Sequence, residues 1–581
     1  MRFTPSDQFE VNLSADYTRE KSEAIPTVLI AAGAIAPNAN AFDPHSVGAS
    51  ASLSSFPPPT YGNPWLVGKN GDPVNMSCIF VPAGPYSCDT GGNLRGWDPR
   101  FVSYSNFLDG MAPTGQAPYK PYAALPITEF RGSGFMGNVS YRFNDNMELV
   151  YIGSYREYTS KFGQDQDATP IPVAQLDNEL NHHAFTSELR FNFKMGSFLE
   201  GTVGGFYLDQ KGTYTARVDL NYVFATIDFL HGPDSTPSNT KAVFATATVH
   251  PTEALSITGG VRYTKDAKDY TYYRSNPDST VPDATPGACG LFTQPNCLLA
   301  GLFDIIGSFR GTRTDWRVVG DYRFSPGFMA YASVSTGFKG GGVNPRPFFV
   351  TQQLPFDPET LTTYEAGFKA DLFDRRMRLN GAIFLNKYED IQLSKQVCPE
   401  SAPYPSTPCL RPDNIGAADV KGAELEASIY PVEGLTIDAS ISYLDFEYTS
   451  PSDTAGNLVN TSIPASAITP YTPELAYSAG VQYDHDIQAG TLSFRLDGSH
   501  QGELYTTAEN SSWSKIDGRF LANARISWSK DDKWKLALDV QNLFDKYYYQ
   551  SVSDATTSLG VLTGVPGLPR TWSVSVERKF R

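Results

Sequence analysis

Apolar and polar residues alternate with a period of two in segments that run from one end of the chain to the other. Phe9, Val11, Leu13, Ala15 and Tyr17 alternate with Glu10, Asn12, Ser14, Asp16 and Thr18. The pattern returns at Leu435 to Ile441, Leu492 to Leu496, Trp534 to Val540 and Trp572 to Val576. Neighbouring side chains of a strand point to opposite faces, so each segment reads as a β-strand with one apolar face. The connections then sort by length. Short turns are expected at Thr4–Asp7, Asn144–Asn146, Met195–Ser197, Pro251–Ala254, Ser325–Gly327, Phe373–Arg376, Pro431–Gly434, Asp486–Gly490 and Lys530–Lys533. Every connection lying between two of these is long, from roughly 15 to over 100 residues. The count is about eighteen complete strands, nine tight turns and nine long loops.

An up-and-down meander sends every second connection to the same end, so sorted loops mean two ends with different surroundings. Outer-membrane barrels have short turns at one end and long loops at the other. About 9–11 tilted residues suffice to cross a bilayer. Lipid tolerates strands only when the sheet closes, because each unpaired backbone group there costs several kcal/mol. The fold expected is therefore all-β: a transmembrane antiparallel up-and-down β-barrel, apolar outside and polar within. A propeller or β-helix would show a fixed repeat, and the spacing between strand pairs here is irregular.

A chain of 581 residues exceeds one ordinary domain unless that domain is a large barrel or solenoid. Its formal charge of -16 argues against a nucleic-acid partner. The longest apolar run, Val28 to Ala36, is nine residues, far short of a membrane-spanning helix. No basic stretch followed by an apolar core and a cleavage site opens the chain. Six cysteines fall in three close pairs, Cys78/Cys88, Cys289/Cys297 and Cys398/Cys409, each in a Pro/Gly/Ser/Asn-rich stretch between strands. The spacing does not suit a metal site, so three local disulfides are expected, each stabilising by roughly 2–3 kcal/mol. Disulfides imply an oxidising compartment and hence an export signal upstream of Met1.

Five stretches carry a family resemblance. Tyr331 to Pro345 (YASVSTGFKGGGVNP), Thr363 to Leu393, and the hairpin NIGAADVKGAELEASIYPVEGLTIDASISYLD resemble mid-barrel segments of TonB-dependent outer-membrane receptors. Leu538 to Gln550 (LDVQNLFDKYYYQ) and Pro566 to Phe580 resemble that family's last two strands. The resemblance implies a 22-stranded barrel whose fifth strand begins at Phe9. It also implies that earlier strands, a lumen-filling plug, the TonB-contacting segment and the signal peptide lie upstream, so that residues 1–581 are the barrel portion alone. The family usually ends on an aromatic residue, whereas Arg581 follows Phe580 here.

The same resemblance implies a receptor rather than an enzyme, with no cofactor. It would sit as a monomer in the outer membrane of a Gram-negative bacterium and take up an extracellular ligand such as a ferric siderophore. Its partners would be outer-membrane lipid, that ligand and, through the plug, TonB. A passive eighteen-strand pore, a non-functional receptor fragment and a soluble β-rich binding protein are the alternatives.

Residues 22–128 are read as one long extracellular loop of 107 residues, fifteen of them proline. It carries Tyr61, Trp65, Tyr86, Trp97, Tyr104, Tyr119 and Tyr122, and aromatics on a pinned loop suit ligand capture at a barrel mouth. Other motifs read as structural. His182 and His183 are expected at the start of a strand, on opposite faces, where they share no metal. Gly132 to Gly137 matches G-x-G-x-x-G but lacks the following helix that dinucleotide binding requires. Lys339 with Gly340–Gly342 reads as flexible backbone where a strand enters an outer loop, with an anion nest as the alternative. No nucleophile–base constellation is present.

Overall fold

A computed structural model describes residues 1–23, 27–32, 127–166, 168, 174–220, 228–283, 295–395, 411–459, 461–531, 533–555 and 561–579. No α-helix occurs among them. Nineteen strands form one antiparallel sheet. They are β1 (Arg2–Ser6), β2 (Phe9–Glu23), β3 (Ile127–Asn144), β4 (Met147–Asp165), β5 (Gln175–Met195), β6 (Leu199–Asp219), β7 (Asp228–Val249), β8 (Leu255–Ser275), β9 (Phe303–Ser325) and β10 (Phe328–Lys339). The second half comprises β11 (Glu359–Leu372), β12 (Met377–Glu389), β13 (Ala418–Ile429), β14 (Leu435–Tyr448), β15 (Leu475–Ile487), β16 (Gly490–Gln501), β17 (Arg519–Lys530), β18 (Trp534–Gln541) and β19 (Thr571–Arg578). Each pairs with the next in chain order. The turns expected from sequence fall where the tight connections are, with one correction. Thr4, Pro5 and Ser6 belong to β1, and the first turn is Asp7–Gln8. Proline is tolerated there because β1 is an edge strand with a ladder on one side only.

The sheet is rolled, and a short ladder shows it. Val28–Ala32, just beyond β2, pairs with Val561–Pro566, just before β19. Laid flat, β2 and β19 would stand seventeen spacings apart, roughly 80 Å at about 4.8 Å per strand. The linking residues, Glu23 to Val28 and Gly564 to Thr571, span at most about 40 Å when fully extended. Only a curled sheet brings those edges within reach. Among the described residues no ladder joins β1 or β2 to β19, so a seam remains; direct eighteen-strand closure is not what the chain adopts. The first residues cover β2 only between Phe9 and Leu13, whose amide and carbonyl both bond Met1, which leaves that edge of β2 open from Ser14 upward among the described residues.

The two faces are inverted relative to a soluble protein. On β19, Trp572, Val574 and Val576 are 73%, 60% and 66% exposed. Trp316, Val318 and Tyr322 on β9, and Tyr477, Val481 and Tyr483 on β15, are likewise exposed on the outward face. The buried apolar clusters lie instead in the outer connections.

Wall height is uneven. β3 to β9 run 18–23 residues, whereas β10 to β19 run 8–14. The long strands shorten two connections that the sequence makes look long: nine residues join β4 to β5 and eight join β6 to β7. The outward face of β8 is apolar from Leu255 to Tyr263 and then carries Lys265 and Asp269. Only the lower part of the tall wall therefore suits lipid, and the upper part stands in water.

Candidate ligand-binding site at the outer mouth

The segment between β10 and β11 folds back against the inner face of the tall wall. Its base is stapled by Gln392, whose side-chain nitrogen donates to the carbonyls of Gly340 (3.2 Å) and Asp357 (2.9 Å). Within it, Gly342–Val343 pairs with Pro355–Phe356, and a 3₁₀ turn spans Val350–Gln352. Gly341 is pinched between the Phe309 ring and the Phe356 carbonyl, leaving no room for a side chain. None of Gly340–Gly342 has the left-handed backbone that an anion nest needs. The triad is a packed crossing, which differs from the flexible junction expected from sequence.

Three inward-facing residues of β8 hold the segment. Lys268 donates to the Gly341 carbonyl (2.8 Å), Tyr272 to the Asn344 carbonyl (2.7 Å) and Arg274 to the Pro345 carbonyl (3.4 Å). Arg274 is in turn fixed by Asp234, which is fully buried and accepts from its Nη1 at 2.8 and 3.0 Å. Asp234 also accepts from the Tyr270 hydroxyl (2.7 Å), the Tyr273 amide (2.8 Å) and His231 Nε2 (2.8 Å). A break in the β7–β8 register between His231 and Ser235 turns Asp234 inward. Gly232 lies in that break at φ +105°, against the Tyr214 carbonyl, where a Cβ would collide.

The cluster stands above the apolar band, and its charges balance. Burial, reinforced by Arg274, pushes His231 down to about 4, so it is neutral at physiological pH. Burial opposes ionisation of Asp234, but bonds from His231 and Arg274 hold it below the ordinary carboxylate range. Burial and Asp234 raise Tyr270 strongly. Arg346 is exposed at the surface of the segment, with its guanidinium 5.9 Å from the centre of the Tyr214 ring. It is the cation that this arrangement offers to the mouth.

Two further pieces frame the opening. Ile391, Ile415, Tyr448, Leu458 and Ile463 pack together beyond β12 to β14, with Glu509 half-buried nearby and its acidity weakened by that burial. Leu504, Ile516, Val552 and Leu562 form a second cluster beneath the ladder that links Val28–Ala32 to Val561–Pro566.

Most of the site residues read from sequence fall elsewhere. Tyr61, Trp65, Tyr86, Trp97, Tyr104, Tyr119 and Tyr122 lie outside the described residues, as do Cys78, Cys88, Cys289, Cys398 and Cys409. Cys297 is buried in the 3₁₀ turn Pro295–Leu299 and is disulfide-bonded. His182 and His183 lie in mid-strand on β5 rather than at its start. His182 faces inward, stacked on Tyr158 at 4.9 Å, and His183 is exposed outward. Gly132–Gly137 lies wholly within β3. Among the described residues no cluster of three or more His, Cys, Asp or Glu could hold a metal. Sequence reasoning passed over Asp234 and Arg274; the only local signal was His-Gly-Pro-Asp inside what proves to be a strand.

The family model described as TonB dependent receptor-like, beta-barrel matches residues 83–543, more than half of the chain. The chain belongs to the TonB-dependent receptors. The pesticin receptor of Yersinia pestis is 24% identical over 341 residues, which are 57% of this chain and 43% of that protein. The catecholate siderophore receptor Fiu of Escherichia coli is 21% identical over 355 residues, 59% of this chain and 42% of that one. This receptor chain thus spans less than half the length of these curated relatives. Among solved structures, the ferric yersiniabactin uptake receptor FyuA of Yersinia pestis superposes with a TM-score of 0.63 at 18% identity, covering 78% of this chain and 62% of that one. Fiu in its closed form gives a TM-score of 0.59 at 15% identity, covering 100% of this chain and 73% of that one. At such identities these structures share the fold.

The lumen of this TonB-dependent receptor barrel is lined by cross-strand ion pairs. Asp16, Gly134 and Arg156 stand in one row across β2, β3 and β4, and Arg156 reaches over the glycine to Asp16 at 2.6 Å. A Cβ on Gly134 would come within 2.8 Å of both partners. The device recurs at Gly480, over which Arg495 reaches Asp438 (3.3 Å) while holding Asp497 (2.7 Å). At the turn end of the barrel a lumenal cavity of about 480 Å³ is lined by Arg495, Arg525, Lys533, Lys535, Glu577 and Lys579. It lies at the opposite end of the strands from the mouth and is not the candidate ligand site.

Proposed function

We propose that the chain is the barrel of an outer-membrane receptor that captures a ferric siderophore at its outer mouth for TonB-energised uptake. The observation that carries this reading is the inverted sheet, apolar toward lipid and charged within, with the described parts of the long connections at one end and the tight turns at the other. The names of the relatives support the ligand class, since Fiu is a catecholate siderophore receptor and FyuA a ferric yersiniabactin uptake receptor. The mouth supports it chemically. Many iron chelates are anionic and aromatic, and Arg346 above Tyr214 offers a cation beside a ring. The Asp234–Arg274 lock would give Arg346 a rigid base, which cuts the ordering cost of binding. The loop aromatics Tyr61, Trp65, Tyr86, Trp97, Tyr104, Tyr119 and Tyr122 would add further ring contacts to the ligand. Energisation would act through TonB and a lumen-filling plug, as the family resemblance implies.

Tryptophan fluorescence of the chain in detergent, titrated with a panel of ferric and iron-free siderophores, tests the reading. Saturable quenching by a ferric chelate, lost in Arg346→Glu, is expected. Indifference to every chelate, together with unselective ion conductance in liposomes, would replace the receptor with a passive pore.

A further inference from the structure

The outward face of the tall wall changes from apolar to charged at one row, and in that row two lysines meet. Lys241 of β7 and Lys265 of β8 are register partners, directly opposite each other across the ladder. Both are exposed. Below them on the same face stand Val243, Val261 and Tyr263, which are 61%, 49% and 47% exposed. Counted from the turn end, Lys265 is ten residues above Leu255, and about 9–11 tilted residues cross the hydrocarbon. The ammonium groups therefore stand where the acyl chains end and head groups begin, with their stems along the apolar band.

Like charges directly opposite each other destabilise a sheet unless something answers them. The neighbouring charges above the band are answered within the protein: Lys21 pairs with Glu129 (2.9 Å), Lys161 with Glu179 (2.7 Å) and Arg310 with Asp269 (2.7 Å). Among the described residues, neither Lys241 nor Lys265 has a carboxylate within ion-pair distance; Lys241 has only the Tyr207 ring, 5.8 Å away. An anion held between two ammonium groups at this depth would remove their repulsion, and the group available at that depth is a head-group phosphate.

We propose that Lys241 and Lys265 bind the phosphate of an anionic lipid in the outer leaflet, with its chains along the band that Val243, Val261 and Tyr263 form. This rests on the membrane reading above. The test incorporates the full chain into phosphatidylcholine liposomes doped with a bisphosphorylated lipid A or its phosphate-free counterpart. Flotation reports insertion, and native mass spectrometry after detergent extraction counts the retained lipid. The phosphorylated lipid is expected to be retained about tenfold over its counterpart, and the preference to vanish in K241E/K265E but not in K211Q. K265E alone gives Lys241 a cross-strand carboxylate, so it should lose the lipid while raising the melting temperature in phosphate-free bilayers. Undiminished retention by the double variant, or equal retention of both lipids, would overturn the inference and leave the membrane reading intact. Displacement by millimolar inorganic phosphate would overturn the assignment to a lipid. Failure of the unaltered chain to float would remove the membrane reading and this site together.

Discussion

Asp234 accepts bonds from an arginine, a tyrosine, a backbone amide and a histidine while fully buried, so neutralising it leaves Arg274 as an uncompensated buried charge. Breaking a buried pair from one side costs about 3–5 kcal/mol. Asp234→Asn is therefore expected to loosen residues 341–352, seen as faster hydrogen exchange there while β14 to β18 are unchanged. Acid should act on the same lock. The folded value of His231, about 4, lies below its ordinary 6.5, so the unfolded segment binds more protons between those limits. The stability it contributes is full above pH 6.5 and is lost as pH falls toward 4. The protection of residues 341–352, corrected for the intrinsic pH dependence of amide exchange, should fall between pH 7 and pH 4.5, and His231→Gln should flatten that dependence. Gly232→Ala should disrupt the lock without touching any of its polar groups, because at φ +105° its Cβ meets the Tyr214 carbonyl. Strain of this kind costs on the order of 1–3 kcal/mol before the collision is counted.

Strands differ in how plainly the sequence announces them, and the reason is solvent. Where lipid lies on one side and water on the other, the two faces need opposite chemistry and the period of two is clear, as in Trp572 to Val576. Above the bilayer both faces are wet and the contrast disappears. Residues 228–241 (DFLHGPDSTPSNTK) contain a glycine, two prolines and few apolar residues and show no period of two, yet they form nearly two thirds of β7. They are strand because β6 and β8 supply ladders on both sides, a property of neighbours and not of the segment. The same blindness hid the lock, whose members lie 40 residues apart in sequence. The turns were legible because tight connections demand particular residues whatever surrounds them. The band itself gives a test. Val261→Arg places a charge toward lipid and should cost about 2–4 kcal/mol near mid-depth. Thr246→Arg, on the lumenal face of the adjacent strand, should be far milder. Unfolding of both variants in lipid vesicles by urea would check the contrast.

At the scale of the whole molecule, the sheet has two free edges among the described residues, one along β2 above Leu13 and one along β19. Backbone groups that face lipid unpaired are costly, so these edges should be the least protected parts of the barrel. Hydrogen exchange of the chain in micelles is expected to be fastest, among membrane-embedded strands, at residues 14–19 and 571–578. Uniform protection across all nineteen strands would mean that some further segment covers the seam.

The ladder between Val28–Ala32 and Val561–Pro566 joins parts of the polypeptide that are more than five hundred residues apart. Its contact order is close to the largest that the chain allows, and such contacts are slow because so much chain must be threaded into place before they form. During synthesis the partner of Val28 does not exist until more than five hundred further residues have been made. The clasp must therefore be among the last contacts made, and until then the nascent wall can still open sideways.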